Sequence, residues 1–142
     1  MSKHVKVSIL ILLLSLNLFG CKKESVALHI ESDIEKISLS KNTENKKVPT
    51  LISNDKQINQ FVKNIQAGSK KTNKESYNDT PTNVDSYIKI EFYFFEGKTT
   101  NVTYLYKKRG HYYIEQPYIG IWKTTPESYD NIVELLNIWP CY

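Results

Sequence analysis

The sequence predicts an α+β domain: a mainly antiparallel, meandering sheet of about five to six strands with two amphipathic helices. Three observations carry this. Apolar and polar residues alternate with period two over 34–40 and repeatedly between 86 and 123. Two other stretches place apolar residues at i, i+3, i+4 and i+7: Ile58, Phe61, Val62, Ile65, and later Tyr129, Ile132, Val133, Leu136. All ten tyrosines lie from Tyr77 onward, and aromatics suit a pleated, half-buried surface.

Taken in order, Ile34 to Ser40 puts Ile37 and Leu39 on one face and Lys36 and Ser38 on the other, with Glu35 interrupting the alternation. After a polar stretch from Lys41 to Lys47, Val48 to Ile52 reads as a short strand, and Pro49 assigns it to an edge or a strand start. Ser53, Asn54 and Asp55 offer N-caps to the first helix, and Gly68 follows its last apolar turn as a stop. Gly68 to Asn83 is polar and without periodicity, so it reads as a long loop of the kind that is functional or mobile.

The second half is the sheet. Ile88, Ile90, Phe92 and Phe94 alternate with Lys89 and Glu91. Glu96-Gly97-Lys98 is a hairpin connection, and Val102, Tyr104 and Tyr106 share a face of the returning strand. Lys108-Arg109-Gly110 turns into a strand over His111 to Gln116, Pro117 ends it, and Ile119 to Lys123 is a last extended piece. Thr125, Pro126 and Glu127 open the second helix as cap, first-turn proline and dipole-matched acid, and Pro140 stops it.

The N-terminus is different in kind. Met1 to Lys6 carries two lysines and no acid, and Val7 to Phe19 is almost purely apolar. As a helix that run spans about 20 Å, short of the ~30 Å hydrocarbon core, which fits the h-region of an export signal. Leu18, Gly20 and Cys21 resemble the lipobox of bacterial lipoproteins, with Phe19 where a small residue is commoner. The resemblance implies cleavage between Gly20 and Cys21 and a diacylglycerol on the Cys21 thiol. The expected organisation is a signal peptide over 1–20, a lipidated cysteine and tether over 21–33, and one α+β domain over 34–142. Two acyl chains hold where one is marginal, so the expected location is the extracytoplasmic face of the cell membrane.

Composition excludes several functions. The net charge of +4 falls to about +2 once Lys3 and Lys6 are removed, too weak a field for nucleic acid. Cys21 and Cys141 are the two cysteines, and acylation of the first leaves no disulfide and no cysteine metal site within the chain. His29 and His111 are isolated, no Gly-x-Ser-x-Gly or Gly-rich phosphate loop occurs, and no catalytic residue, metal or cofactor is expected. Glu91 and Glu115 fall on strands that could bring them face to face, the arrangement of a glycoside hydrolase, so an envelope-acting hydrolase using either glutamate is the alternative function.

Two stretches suit binding. Tyr112 to Trp122 mixes aromatics with polar groups; with Tyr112, Ile114 and Trp122 in the core, Tyr113, Glu115 and Tyr118 form the expected surface. Lys70, Lys71 and Lys74 make the long loop basic, suited to an anionic wall polymer or an anionic leaflet. The stretches Lys71 to Pro81, Ile88 to Ile90 and Tyr112 to Ile121 resemble a family of small lipoproteins of Gram-positive bacilli known as a domain of unknown function. That resemblance implies no catalytic residues. The expected function is a membrane-anchored, non-enzymatic binding module of inhibitor, immunity or exclusion type, whose partner is an envelope protein or wall polymer.

Overall fold

In the computed structural model, residues 28–42, 48–95 and 101–138 are described. Gly20, Cys21, Cys141, the signal peptide, the first part of the tether and the Glu96-Gly97-Lys98 connection lie outside them. The chain forms an α+β fold with a seven-stranded, wholly antiparallel sheet in the order β2-β1-β4-β5-β6-β7-β3. The strands are β1 (Ile34–Lys41), β2 (Thr50–Ile52), β3 (Lys70–Lys71), β4 (Tyr87–Phe94), β5 (Asn101–Lys108), β6 (His111–Gln116) and β7 (Gly120–Thr124). The helices are α1 (Asp55–Ala67) and α2 (Pro126–Ile138).

One face of the sheet is the helix face. Ile37 and Leu39 of β1, Ile88, Ile90 and Phe92 of β4, Leu105 of β5, Ile114 of β6 and Trp122 of β7 are buried there against Ile58, Phe61, Ile65 and Ile132 of the helices. The rings of Phe61 and Phe92 meet edge to face at 6.4 Å. The break at Glu35 is a bulge: Ile34 pairs with Phe94 and Lys36 with Tyr93, leaving Glu35 as the extra residue.

Local chemistry sets the helix ends. The Asn54 side chain accepts from the backbone N–H of Lys56 at 3.1 Å and of Gln57 at 3.2 Å, and Thr125 accepts from Ser128 N–H at 3.1 Å. Gly68 closes α1 for a reason other than a left-handed cap. Its φ is −80°, and a Cβ there would collide with Ser128 Oγ at the start of α2. The glycine permits the end of α1 to approach the start of α2.

Two expectations change. The loop after α1 contributes a seventh strand, because Lys70 and Lys71 pair with Lys123 and Trp122; two polar residues carry no alternation to read. The packed domain also begins before residue 34. Leu28 and Ile30 are buried in the core, Gln66 donates to Leu28 C=O at 3.2 Å, and buried Gln116 donates to His29 C=O at 3.1 Å. From Cys21 to Leu28 an extended chain reaches only about 25 Å. Leu28→Ala is therefore expected to destabilise the fold by about 2–5 kcal/mol, measured by urea unfolding; a change near zero would return Leu28 to the tether.

Candidate functional site

Period two sends the remaining side chains to the other face. Tyr87 of β4, Tyr106 of β5, Tyr113 of β6, Lys123 of β7 and Lys70 of β3 are successive cross-strand partners in one row. Val102, Tyr104 and Tyr106 do share a face, but it is this one, while Thr103 and Leu105 face the helices. The face is aromatic: Tyr87 meets Tyr104 edge to face at 5.1 Å, and Tyr106 lies 5.7 Å from Tyr113.

Among the described residues, no helix covers this face. Residues 72–86, which include most of the loop expected over 68–83, run across it as a strap. Thr72 starts the strap at β7: its N–H reaches Ile121 C=O at 2.9 Å and its hydroxyl reaches the same oxygen at 2.7 Å. Ser76 is buried and donates to Glu115 at 2.7 Å. Tyr118 donates to Asp79 at 2.7 Å, and Lys108 donates to Thr82 C=O at 3.1 Å. Asn42 holds the far end, accepting from Tyr87 N–H at 2.6 Å.

Glu115 is the correction of most consequence. It was expected on the surface and is 5% exposed. One carboxylate oxygen accepts from Ser76 and the other from Tyr106 at 2.9 Å. The residue is a fastener between strap and sheet. Glu91 forms an ion pair with Lys89 at 2.6 Å. It stands two strands from Glu115, with β5 between, and is offset by two residues. At ~4.8 Å per strand and ~3.4 Å per residue their backbones are about 12 Å apart, and their carboxylates are engaged separately, one by Lys89 and the other by Ser76 and Tyr106. The two glutamates are not brought together.

The two binding stretches are. Lys74 places its ammonium 4.7 Å from the centroid of the half-buried Tyr113 ring. Lys70 and Lys71 part company, because period two points them to opposite faces. Lys70 joins the strap face, while Lys71 lies 5.1 Å from the Trp122 ring and crosses Gly120, where a Cβ would stand 3.0 Å from its Cε. Lys71 also donates to Ile119 C=O at 3.4 Å.

Tyr118 is where the site meets solvent. Pro117 and Tyr118 occupy the centre of a β-turn closed by Ile119 N–H to Gln116 C=O at 3.1 Å. Tyr118 takes φ +62°, the position of a type II turn that favours glycine, at a cost of roughly 1–2 kcal/mol. The bond to Asp79 fixes the ring in that conformation. Tyr118, Ile119 and, on the strap, Tyr77 are 66%, 55% and 71% exposed. Tyr77 is also tied down, donating to Glu75. Lys123, His111 and Asp79 belong to this region and were missed by the sequence reading. The spacing Lys123–Trp122 within a period-two strand was the available signal for the first.

Among the described residues, no group of three histidine, cysteine or acidic side chains is placed to hold a metal, and no helix is long and apolar enough to cross a membrane. The fold and its strapped face define the class: an α+β domain with one face packed by helices and the other by its own connecting segment. The family DUF5301, described as Domain of unknown function (DUF5300), matches residues 22–123, and the chain belongs to that family. No curated protein matches. The NMR structure of the protein from Ruminococcus gnavus is similar in fold, with a TM-score of 0.56 at 20% identity over 72% of this chain and 98% of that one.

Two predictions test the fastener. Ser76→Ala removes a hydrogen bond to a buried carboxylate and is expected to cost about 1.5–3 kcal/mol in denaturant unfolding. The Tyr106 hydroxyl is pushed well above the usual phenol range, by burial first and then by its bond to Glu115. The fold therefore favours the protonated phenol. That stability is whole below the free phenol value of about 10 and is lost as pH rises above it. In thermal unfolding across the alkaline range, Tyr106→Phe is expected to flatten the decline; an unchanged slope would remove Tyr106 as its source.

Proposed function

We propose that the chain is a lipoprotein, anchored through Cys21 on the extracytoplasmic side of a bacterial membrane of Gram-positive type. Its domain works as a non-enzymatic binding module of inhibitor, immunity or exclusion type. The partner is an envelope component, protein or anionic wall polymer, and nucleic acid is not one. The observation that carries the binding half is the meeting of two distant stretches. Lys74 of the strap lies on Tyr113, and Asp79 of the strap holds Tyr118 outward in a strained turn. Rigid, exposed aromatics tied from behind lose little freedom on binding, which favours recognition. The occupied oxygens of Glu115 and the pairing of Glu91 support binding over hydrolysis. The anchor rests on the basic n-region, the short apolar run and Leu18-Phe19-Gly20-Cys21.

Both halves are open to test in a bacterial host. Metabolic fatty-acid labelling is expected for the wild type and absent from Cys21→Ala; unlabelled wild type would end the lipoprotein reading. A photo-crosslinking amino acid at position 118 is expected to trap a discrete envelope adduct, while the same group at Leu51, on the opposite sheet edge, traps none. Equal trapping at both positions would contradict a site at Tyr118.

A further inference from the structure

Three lysines gather on the strap face around one aromatic ring. Lys70 and Lys123 stand directly opposite each other across β3 and β7, and Lys123 is opposite Tyr113 across β7 and β6. Cβ atoms of such partners lie about 4.5–5.5 Å apart, and like charges so placed are destabilising. Lys74 approaches the same Tyr113 ring from the strap. Among the described residues, the ion pair within 4.0 Å is Lys89–Glu91 on β4, and none involves Lys70, Lys74 or Lys123. The acid two residues along β6, Glu115, has both oxygens engaged by Ser76 and Tyr106.

Protection of a sheet edge accounts for lysines on β3. It does not account for Lys123, which is on the strand inside that edge, or for Lys74, which is on the strap. An uncompensated cluster of this kind is relieved by an anion. The donors are ammonium groups; the chain's single arginine, Arg109, is on the β5–β6 turn. Lacking arginine's planar fork, which matches carboxylate and phosphate alike, lysine acts as a point charge with rotatable donors. It suits tetrahedral phosphate approached from several sides. The row continues along the face to Lys108, which shares the parity of Tyr106 at the end of β5. Cations spaced along the strapped face, with Lys70, Lys74 and Lys123 exposed to solvent, suit anions spaced along a chain.

We propose that Lys70, Lys74 and Lys123 bind consecutive phosphates of a linear, non-nucleic phosphate polyanion lying across Tyr113. This deepens the proposed function and rests on it, choosing a phosphate polymer as the partner. The test uses the full chain in neutral detergent, with inorganic polyphosphate, orthophosphate and phosphatidylglycerol-doped micelles as separate probes. Polyphosphate is expected to bind with a steep salt dependence. Lys70→Gln/Lys123→Gln is expected to weaken it about tenfold or more and to lower the log–log salt slope by roughly 1–2. Lys74→Gln, a strap substitution outside the strands, gives the same direction if the double variant folds poorly, and Lys36→Gln at the far end of the face leaves binding unchanged. Polyphosphate binding that is indifferent to these lysines would overturn the proposal. So would orthophosphate binding as tight as the polymer, or binding to phosphatidylglycerol micelles in place of polyphosphate. If polyphosphate fails while crosslinking at position 118 still traps its discrete partner, the polyanion is wrong and the binding module stands; failure of both removes the site.

Discussion

Glu115 carries a negative charge into a place with almost no water, and the second face of the sheet is arranged around it. Desolvating a carboxylate costs several kcal/mol. Hydrogen bonds to a charged group return about 1.5–3 kcal/mol each, and Ser76 and Tyr106 supply two. Neither donor suffices alone, and they come from different elements. The balance closes only when the strap lies across β5 and β6. That dependence makes a polar, aperiodic segment into a defined layer, and it places Lys74 and Asp79 where they meet Tyr113 and Tyr118.

The helix face follows a more ordinary logic. Trp122, Phe92 and the aliphatic rows of β1, β4 and β6 are closed by α1 and α2, and Leu28 and Ile30 extend that core toward the N-terminus. The consequence for function is geometric. If the chain is tethered at Cys21, the reach of the domain is set by the few residues before Leu28, about 25 Å when fully extended.

Much of the fold was legible because it repeats. Ile88, Ile90 and Phe92 mark a strand by period two, and Ile58, Phe61 and Ile65 mark a helix by spacing; both patterns are local. The short strand at Lys70 and Lys71 has no pattern of its own and exists through its partners on β7. Glu115 was misplaced for a related reason. Alternation assigns it correctly to the face opposite Ile114 and Trp122, but whether that face is wet depends on the strap, and no residue near Glu115 announces Ser76, 39 residues earlier. Tyr113, Tyr118, Lys70 and Lys74 were recognisable by chemistry, while their convergence required strand order, which single-strand patterns do not contain.

The strapped face depends on Glu115 holding the strap, and native-state hydrogen exchange of Glu115→Gln reads this most directly. The substitution keeps the shape and removes the charge that both hydroxyls serve. Faster exchange is expected at Thr72 and Lys74, whose N–H groups bond to Ile121 C=O and to the Thr72 hydroxyl, with the Leu105 and Ile114 amides of the central strands keeping their protection. Exchange that is unchanged in the strap, or that quickens equally throughout the sheet, would contradict it.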